Sequence, residues 1–408
     1  MTQKEHQRHR RLLIKFLATS PLMGLGLAYC SSNDTTTLPP VTNSSSDINE
    51  ADLHQVISSI EEAINVFDFE GVARQNLPPA HFGYLATGTD NDETLKANRV
   101  GFSNIQLKAR RLRGITSVDT SVELLGQKWD SPIIVCPVGS QKAFHPEGEI
   151  AVAKAAKNKG HLQVLSTVAT SSVEEVALAR QAPIWYQLYP TIEWEQTLEM
   201  VKRAEAAGCP AIVLTVDLTG DSNRETLLRY IRLDTRDCKS CHGPMQQNKP
   251  MISSFPSFDF NGSLDWDFVQ KLKANTSMKV LIKGIVSGED ARLCLENGVD
   301  GIFVSNHGGR AEASARATID CLPEVAEAIN GQIPIILDSG IRRGADIFKA
   351  LALGATAVGI GRPYMWGLSA FGQDGVEAVL GMLRKELEMV MAQMGTSAID
   401  EIDASYLV

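Results

Sequence analysis

"IPIILDSGIRRGADIFKALALGATAVGIGRP" spans residues 333–363. It opens on a short apolar run and breaks at Asp338, Ser339 and Gly340. It continues as a helical stretch and returns to a second apolar run that ends at Gly361 and Arg362. Strand, turn, helix, strand is the unit of a parallel sheet, because parallel neighbours need a crossover and a helix supplies it. Neither run alternates with polar residues. Near-continuous apolar runs are expected where both faces of a strand are buried.

The same unit recurs upstream. Apolar runs stand at 132–139 ("PIIVCPVG"), 162–167 ("LQVLST"), 184–190 ("IWYQLYP"), 211–217 ("AIVLTVD"), 279–285 ("KVLIKGI") and 301–306 ("GIFVSN"), ahead of those at 333–340 and 357–363. Helical stretches such as "EGEIAVAKAAKNKG" (147–160) and "SGEDARLCLENGVD" (287–300) separate them. Several end at a glycine, as helix C-termini do. Eight such units predict an α/β fold, a (β/α)8 TIM barrel. A doubly wound open sheet would carry a glycine-rich fingerprint after its first strand, and none follows 132–139. The barrel domain is expected over 49–408. Its first part, 49–131, reads as helices and loops that cap the bottom and reach round to the active face. The connection 218–264 is too long for an ordinary loop and reads as a lid or insertion.

Composition narrows the function. The chain has 408 residues, 44% hydrophobic and 21% charged, with a formal net charge of -9. That is an ordinary soluble balance. That acidic balance argues against a nucleic-acid binder. Residues 1–30 have the layout of an export signal: a basic start, a modest apolar stretch, and "GLAYCSSN" at its end. The stretch is well short of the ~20 apolar residues that span a bilayer. "RRLLIK" resembles a twin-arginine motif. "LAYC" resembles a lipoprotein box with Cys30 lipidated. Residues 31–48 have the Ser/Thr/Pro/Asn composition of a tether. The expectation is a periplasmic protein that meets the membrane only through a lipid anchor.

In a barrel, the C-terminal strand ends build the site. Here they supply Gln187 and Tyr189, Thr215 and Asp217 with Arg224 soon after, Lys283, then Ser305, Asn306, His307 and Arg310. Asp338, Arg342, Arg343, Gly361 and Arg362 complete the set. One strand-end carboxylate is commonly a satisfied structural group; so many polar groups converging from apolar strands are not. "DSGIRRGAD" and "GIGRP" place glycine and arginine ahead of helices after the last two strands, where barrels often bind phosphate. No metal-ligand cluster is read.

"SNHGGR", with "QLY", "LTVD", "IKG", "LDSGIRRGADIFKALALGA" and "IGRP", resembles the FMN-dependent 2-hydroxy acid oxidases and dehydrogenases, the family of glycolate oxidase, lactate oxidase and flavocytochrome b2. The resemblance runs in order over about residues 50–400. It includes "LPPAHFGYLATGTDNDETLKANRVGF", which puts Tyr84 on the family's substrate-binding tyrosine. It implies FMN as cofactor, a small L-2-hydroxy acid (lactate-like) as substrate, and O2, quinone or a cytochrome as acceptor. It implies His307 as base with Asp217 orienting it, Arg224 and Arg310 gripping the substrate carboxylate with Tyr84, and Tyr189 bonding the substrate oxygen. Lys283 would face the flavin N1/O2 edge. Pro137, Val138, Gly139, Ser166, Gln187, Thr215 and Ser305 fall at positions that line FMN. Asp338, Ser339, Gly340, Ile341, Arg342, Gly361 and Arg362 fall at those for its ribityl chain and phosphate. Members are often homo-oligomers. The chain departs at "DLTGDSNR" where many relatives read Thr-Pro-Arg after the Asp, at Ala311 in place of Gln, and at Val168 in place of a bulky aromatic. These bear on substrate identity rather than reaction class. The related barrel that isomerises isopentenyl diphosphate does not fit the base–clamp pair.

Four cysteines, Cys136, Cys209, Cys294 and Cys321, fall in strand or helix patterns and read as buried. "CKSCH" (238–242) does not. A disulfide or redox pair of Cys238 and Cys241 leads. A zinc site and haem c attachment at Cys238, Cys241 and His242 are the alternatives. Under fifty residues of loop leave no room for an ordinary cytochrome domain. The competing functional reading is an exported FMN-binding redox-sensing module that uses this pair.

Overall fold

A computed structural model describes residues 55–220, 222–236 and 248–408. The export segment, the tether, Cys30, Cys238, Cys241 and His242 lie outside the described residues. Eight parallel strands close into a barrel: β1 (Ile133–Val135), β2 (Leu162–Ser166), β3 (Trp185–Leu188), β4 (Ala211–Thr215), β5 (Lys279–Ile285), β6 (Gly301–Val304), β7 (Ile335–Leu337) and β8 (Ala357–Ile360). β8 pairs with both β7 and β1, so the sheet has no edge. Each apolar run supplies one strand. Most strands are shorter than their runs, because the C-terminal residues leave the ladder and turn into the site: 132–139 becomes Ile133–Val135, and 333–340 becomes Ile335–Leu337.

The helices are α1 (Asp68–Asn76), α2 (Pro79–Ala86), α3 (Glu93–Ser103), α4 (Gly148–Asn158), α5 (Val173–Arg180), α6 (Trp194–Ala206), α7 (Glu225–Leu233), α8 (Trp266–Ala274), α9 (Gly288–Glu296), α10 (Thr318–Ile329), α11 (Gly344–Ala352) and α12 (Arg362–Met394). Local chemistry starts several of them. Ser172 and Glu175 form a reciprocal capping box at α5, and Ser287 accepts the Asp290 N–H at the start of α9. The connection 218–264 contains α7, a helix the sequence reading does not assign. It packs on α2: Asp234 accepts the Ala80 N–H at 3.1 Å, and a Cβ on Gly83 would run into Tyr230. The segment rejoins the barrel beside β3, where Asn261 N–H reaches the Pro190 carbonyl at 2.9 Å.

Side chains alternate along each strand, and that alternation places the site. Ile134, Val164, Trp185, Val213, Leu281, Phe303, Ile336 and Ala357 point inward and form one cluster. Their neighbours Ile133, Leu165, Tyr186, Leu214, Ile282, Ile302, Leu337 and Val358 face the helices in a second cluster. A short hairpin ahead of β1, Val122–Leu124 paired with Gln127–Trp129, adds Leu124 and Trp129 to the inner cluster and closes the bottom. Trp185 is the largest fully buried side chain in the described residues. Its truncation to Ala would cost ~3–5 kcal/mol.

Candidate active site

Two residues beyond seven of the eight inward apolar side chains the lining turns polar; beyond Ala357 it is Gly359. Cys136, Ser166, Gln187, Thr215, Lys283, Ser305 and Asp338 sit at i+2 from Ile134, Val164, Trp185, Val213, Leu281, Phe303 and Ile336, and all are buried. Buried polar groups need partners, and these find one another across strands. Gln187 Nε2 donates to Thr215 Oγ1 at 3.0 Å, Lys283 Nζ to Ser305 Oγ at 2.7 Å, and Ser305 Oγ to Asp338 Oδ1 at 2.7 Å. Lys283 Nζ also stands 3.5 Å from Asp338 and 3.7 Å from Asp217. Burial pulls the Lys283 pKa down, but the two carboxylates outweigh it and the net shift is upward. The ammonium stays charged.

His307 stands at the rim of this layer. Its Nδ1 lies 2.9 Å from Asp217 Oδ1 and its Nε2 3.3 Å from the Tyr189 hydroxyl. With Nδ1–H donating to the carboxylate, Nε2 carries the free lone pair. Burial lowers the His307 pKa, Asp217 opposes it, and the net direction is down. For Asp217, burial raises the pKa, while His307 and Lys283 together bring it below the ordinary value. The site thus holds a neutral imidazole on an ionised carboxylate. Burial raises the Tyr189 pKa well above the phenol range, so it stays a neutral donor. Its ring is braced edge-on by Phe260, centroids 5.1 Å apart.

The backbone that presents His307 is unusual. His307, Gly308 and Gly309 have φ of +59, +71 and +78. Glycine takes that region freely; a histidine there is strained by about 1–3 kcal/mol. Gly309 is also needed for space, since a Cβ on it would meet the Leu95 nitrogen at 2.5 Å. The tight turn brings Arg310 to the same cavity. Its guanidinium is fixed by the carbonyls of Tyr84 (2.7 Å), Leu85 (3.3 Å) and Thr87 (3.4 Å) and lies over the Tyr84 ring.

These groups share one cavity with about 780 Å³ of empty space, part of it open to solvent. Tyr84, Tyr189, Lys283, His307 and Arg310 line it together with the turns after β7 and β8. Arg342 and Arg362 stand in those turns. Their hydrogen bonds go to carbonyl oxygens: Arg342 to Ile341, Arg362 to Leu85, Thr87 and Gly308. Burial, with Arg99 adding to it, pushes the Arg342 pKa down to about 10. Burial with Arg310 and Arg342 nearby pushes Arg362 well below its ordinary value. Buried guanidiniums that repel one another create a place for an anion.

Residues 73–408 match the family of FMN-dependent dehydrogenases. The chain belongs to that family. It is 41% identical over 353 residues to the glycolate oxidase of Spinacia oleracea, covering 85% of this chain and 96% of the relative. A peroxisomal (S)-2-hydroxyacid oxidase of Arabidopsis thaliana is 38% identical over 353 residues, covering 85% and 97%. Among solved structures, a lactate oxidase of Pediococcus acidilactici superposes with TM-score 0.80 at 35% identity, covering 85% of this chain and 95% of that one. A mandelate oxidase bound to (S)-2-phenylpropionate gives TM-score 0.76 at 36% identity, covering 85% and 98%.

The family's cofactor fits this site. The guanidinium pair suits a phosphate, and the polar layer suits a hydroxylated chain. The Lys283 cation suits a ring edge that gains negative charge. Of the expected cofactor residues, Ser305 stands one hydrogen bond behind the cavity wall, on Lys283 and Asp338; Gln187 and Thr215 bond each other outside the wall, and all the others line it. Asp217 stands behind His307. Arg224 is not in the wall. It precedes α7, with its Nε donating to Ser222 Oγ at 3.1 Å, although its charge is felt at Arg310 and Tyr189. Several residues of the site were not found from sequence. Cys136 lines the cavity, with its thiol 3.9 Å from Asp338 and its pKa pushed up by burial. Asp346 accepts the Arg342 and Arg343 N–H groups at 2.9 and 3.0 Å. Asn98 bonds Asn306 from α3. An acid near the start of a helix was the available signal for Asp346. Cys136, Cys209, Cys294 and Cys321 are all free and buried. Among the described residues no group of three or more His, Cys, Asp or Glu could hold a metal ion, and no helix is long and apolar enough to cross a membrane.

Proposed function

We propose that this chain oxidises a small L-2-hydroxy acid to the 2-oxo acid. The observation that carries the reading is His307, neutral and held between Asp217 and Tyr189, in a cavity that also presents Arg310 and Lys283. Bound FMN supplies the acceptor for the substrate's two electrons. The chain's own residues do the rest. Arg310 takes the substrate carboxylate, its guanidinium already fixed in orientation by three carbonyls, with Tyr84 beneath it and Arg224 one step outside the wall. Nε2 of His307 takes one proton, from the substrate's Cα or its hydroxyl. Asp217 stabilises the imidazolium that forms. Tyr189 donates to the substrate oxygen. Lys283 offsets negative charge that develops at the cofactor edge. The substrate loses two protons, one from Cα and one from the hydroxyl, and two electrons, and the C–O single bond becomes a carbonyl.

The relatives named above as oxidases support O2 as the final acceptor. Anaerobic bleaching of the flavin absorbance by glycolate, lactate, mandelate and longer L-2-hydroxy acids tests the reaction; bleaching by none of them refutes it. Peroxide release on readmitting air tests the acceptor. We also propose export with a lipid-anchored N-terminus, from residues 1–48 alone; the mass of the mature chain tests it. A reduced-minus-oxidised absorption spectrum tests haem at the CKSCH motif.

A further inference from the structure

The turn that carries His307 and Arg310 has three successive left-handed residues, which do not hold that shape unaided. Asn306 does much of the holding. Its Oδ1 accepts the Gly309 N–H at 2.9 Å, and its carbonyl accepts from Gly309 and Arg310 at 3.0 and 3.3 Å. Asn306 can do this only with its carboxamide turned one way, oxygen toward Gly309.

Two contacts fix that direction: Asn306 Nδ2 donates to the Arg316 carbonyl at 3.2 Å, and a second amide, 208 residues earlier, engages both ends of the carboxamide. Asn98, inside α3, meets Asn306 in a reciprocal amide pair. Each Nδ2 donates to the other's Oδ1 at 2.9 Å. Asn98 Oδ1 also accepts the Thr318 N–H at 3.1 Å, which fixes its own orientation at the start of α10. Both asparagines are about as buried as any residue in the barrel, 1% and 2% exposed. No water can substitute for a missing partner there. The neighbouring Arg99 reaches the Gly340 carbonyl, in the cavity wall, and Asp346, which accepts the Arg342 N–H.

We propose that Asn98 is a positioning residue for the reaction: through Asn306 it sets the His307–Arg310 turn, and hence the alignment of base and clamp. The inference rests on the roles proposed above for His307 and Arg310. An aspartate at 98 has nearly the same shape but would set oxygen against oxygen. Turning the Asn306 amide over does not relieve this, because the carboxylate faces it with an oxygen on both sides, so the pair must separate and the turn shift with it.

The test is the anaerobic rate of flavin reduction by the best 2-hydroxy acid, followed against pH, in FMN-loaded wild type, Asn98→Asp and Asn98→Ser. The serine variant keeps an oxygen for Thr318 and has no donor long enough for Asn306. It therefore gives a second reading should the aspartate variant not fold. Misalignment of this kind should slow reduction on the order of tenfold to a hundredfold, with FMN affinity within about threefold of wild type. The pH of half-maximal rate should also move, because Asp217 raises the His307 pKa against burial and that contribution depends on their distance. Three outcomes overturn the inference alone: an unchanged rate, a rate loss with an unmoved pH profile, or a loss of FMN affinity in step with the rate. If wild type itself is bleached by no 2-hydroxy acid, the proposed reaction and this inference fall together.

Discussion

His307 and Asp217, 90 residues apart in sequence, meet at 2.9 Å between Nδ1 and Oδ1. The pair leaves Nε2 as the one basic atom that faces the substrate end of the cavity.

That arrangement fixes a pH dependence. The working form of His307 is neutral, and burial lowers its pKa. The rate should therefore rise with pH through a value below the ordinary histidine pKa of about 6.5. Asp217→Asn removes the charge that raises the His307 pKa, so its acid limb should shift to still lower pH while the maximal rate falls. His307→Ala should cost about 10²- to 10⁴-fold in flavin reduction with FMN still bound. Loss of FMN from His307→Ala would show that the residue is structural.

Arg310 and Arg224 should separate cleanly. Arg310 is buried and oriented by three carbonyls; Arg224 sits outside the cavity wall. Arg310→Lys loses the fork, and with it a charge-assisted bond of about 1.5–3 kcal/mol, so KM should rise roughly ten- to a hundredfold. Arg224→Lys should raise KM less. Steady-state kinetics decide it, and the reverse order would move Arg224 into the substrate shell.

Arg342→Met should weaken FMN binding by a similar factor, read as flavin released on dilution, because it leaves the phosphate end with one fewer buried guanidinium. Unchanged affinity would place the phosphate elsewhere.

His161, at the far end of the barrel, reports on stability. Its Nδ1 faces the Ile133 carbonyl at 3.1 Å, and burial lowers its pKa to about 4. The unfolded chain binds a proton there first as pH falls. Stability from this group is full above about 6.5 and is lost on the way down to about 4, a change of about 3 kcal/mol. Urea midpoints for His161→Asn should fall less steeply across that window than wild type's.

The strands, the closure of the barrel and the polar strand end at His307 were legible from local patterns: an apolar run, eight repeats of one strand–helix unit, a charged strand end. The missed parts are contacts across the chain. Asn98 looks like an ordinary helix residue in "LKANRVGF", and only its poor helix propensity in a buried interior marks it. α7 hid inside 218–264 because a single amphipathic turn pattern between loops has no strand partner to frame it. Arg224 was grouped with Arg310 by motif, and no sequence pattern places it outside the cavity wall.

The inner face of the barrel is one column, apolar below and, in seven of its eight strands, polar above. A slip of one residue in β5 or β7 would send an apolar side chain into the cavity and Lys283 or Asp338 into the packing between sheet and helices. Strand pairing and chemistry therefore fail together. Selection for turnover acts on this protein as selection against mispaired folding, and a misregistered chain has no partly active form in which to persist.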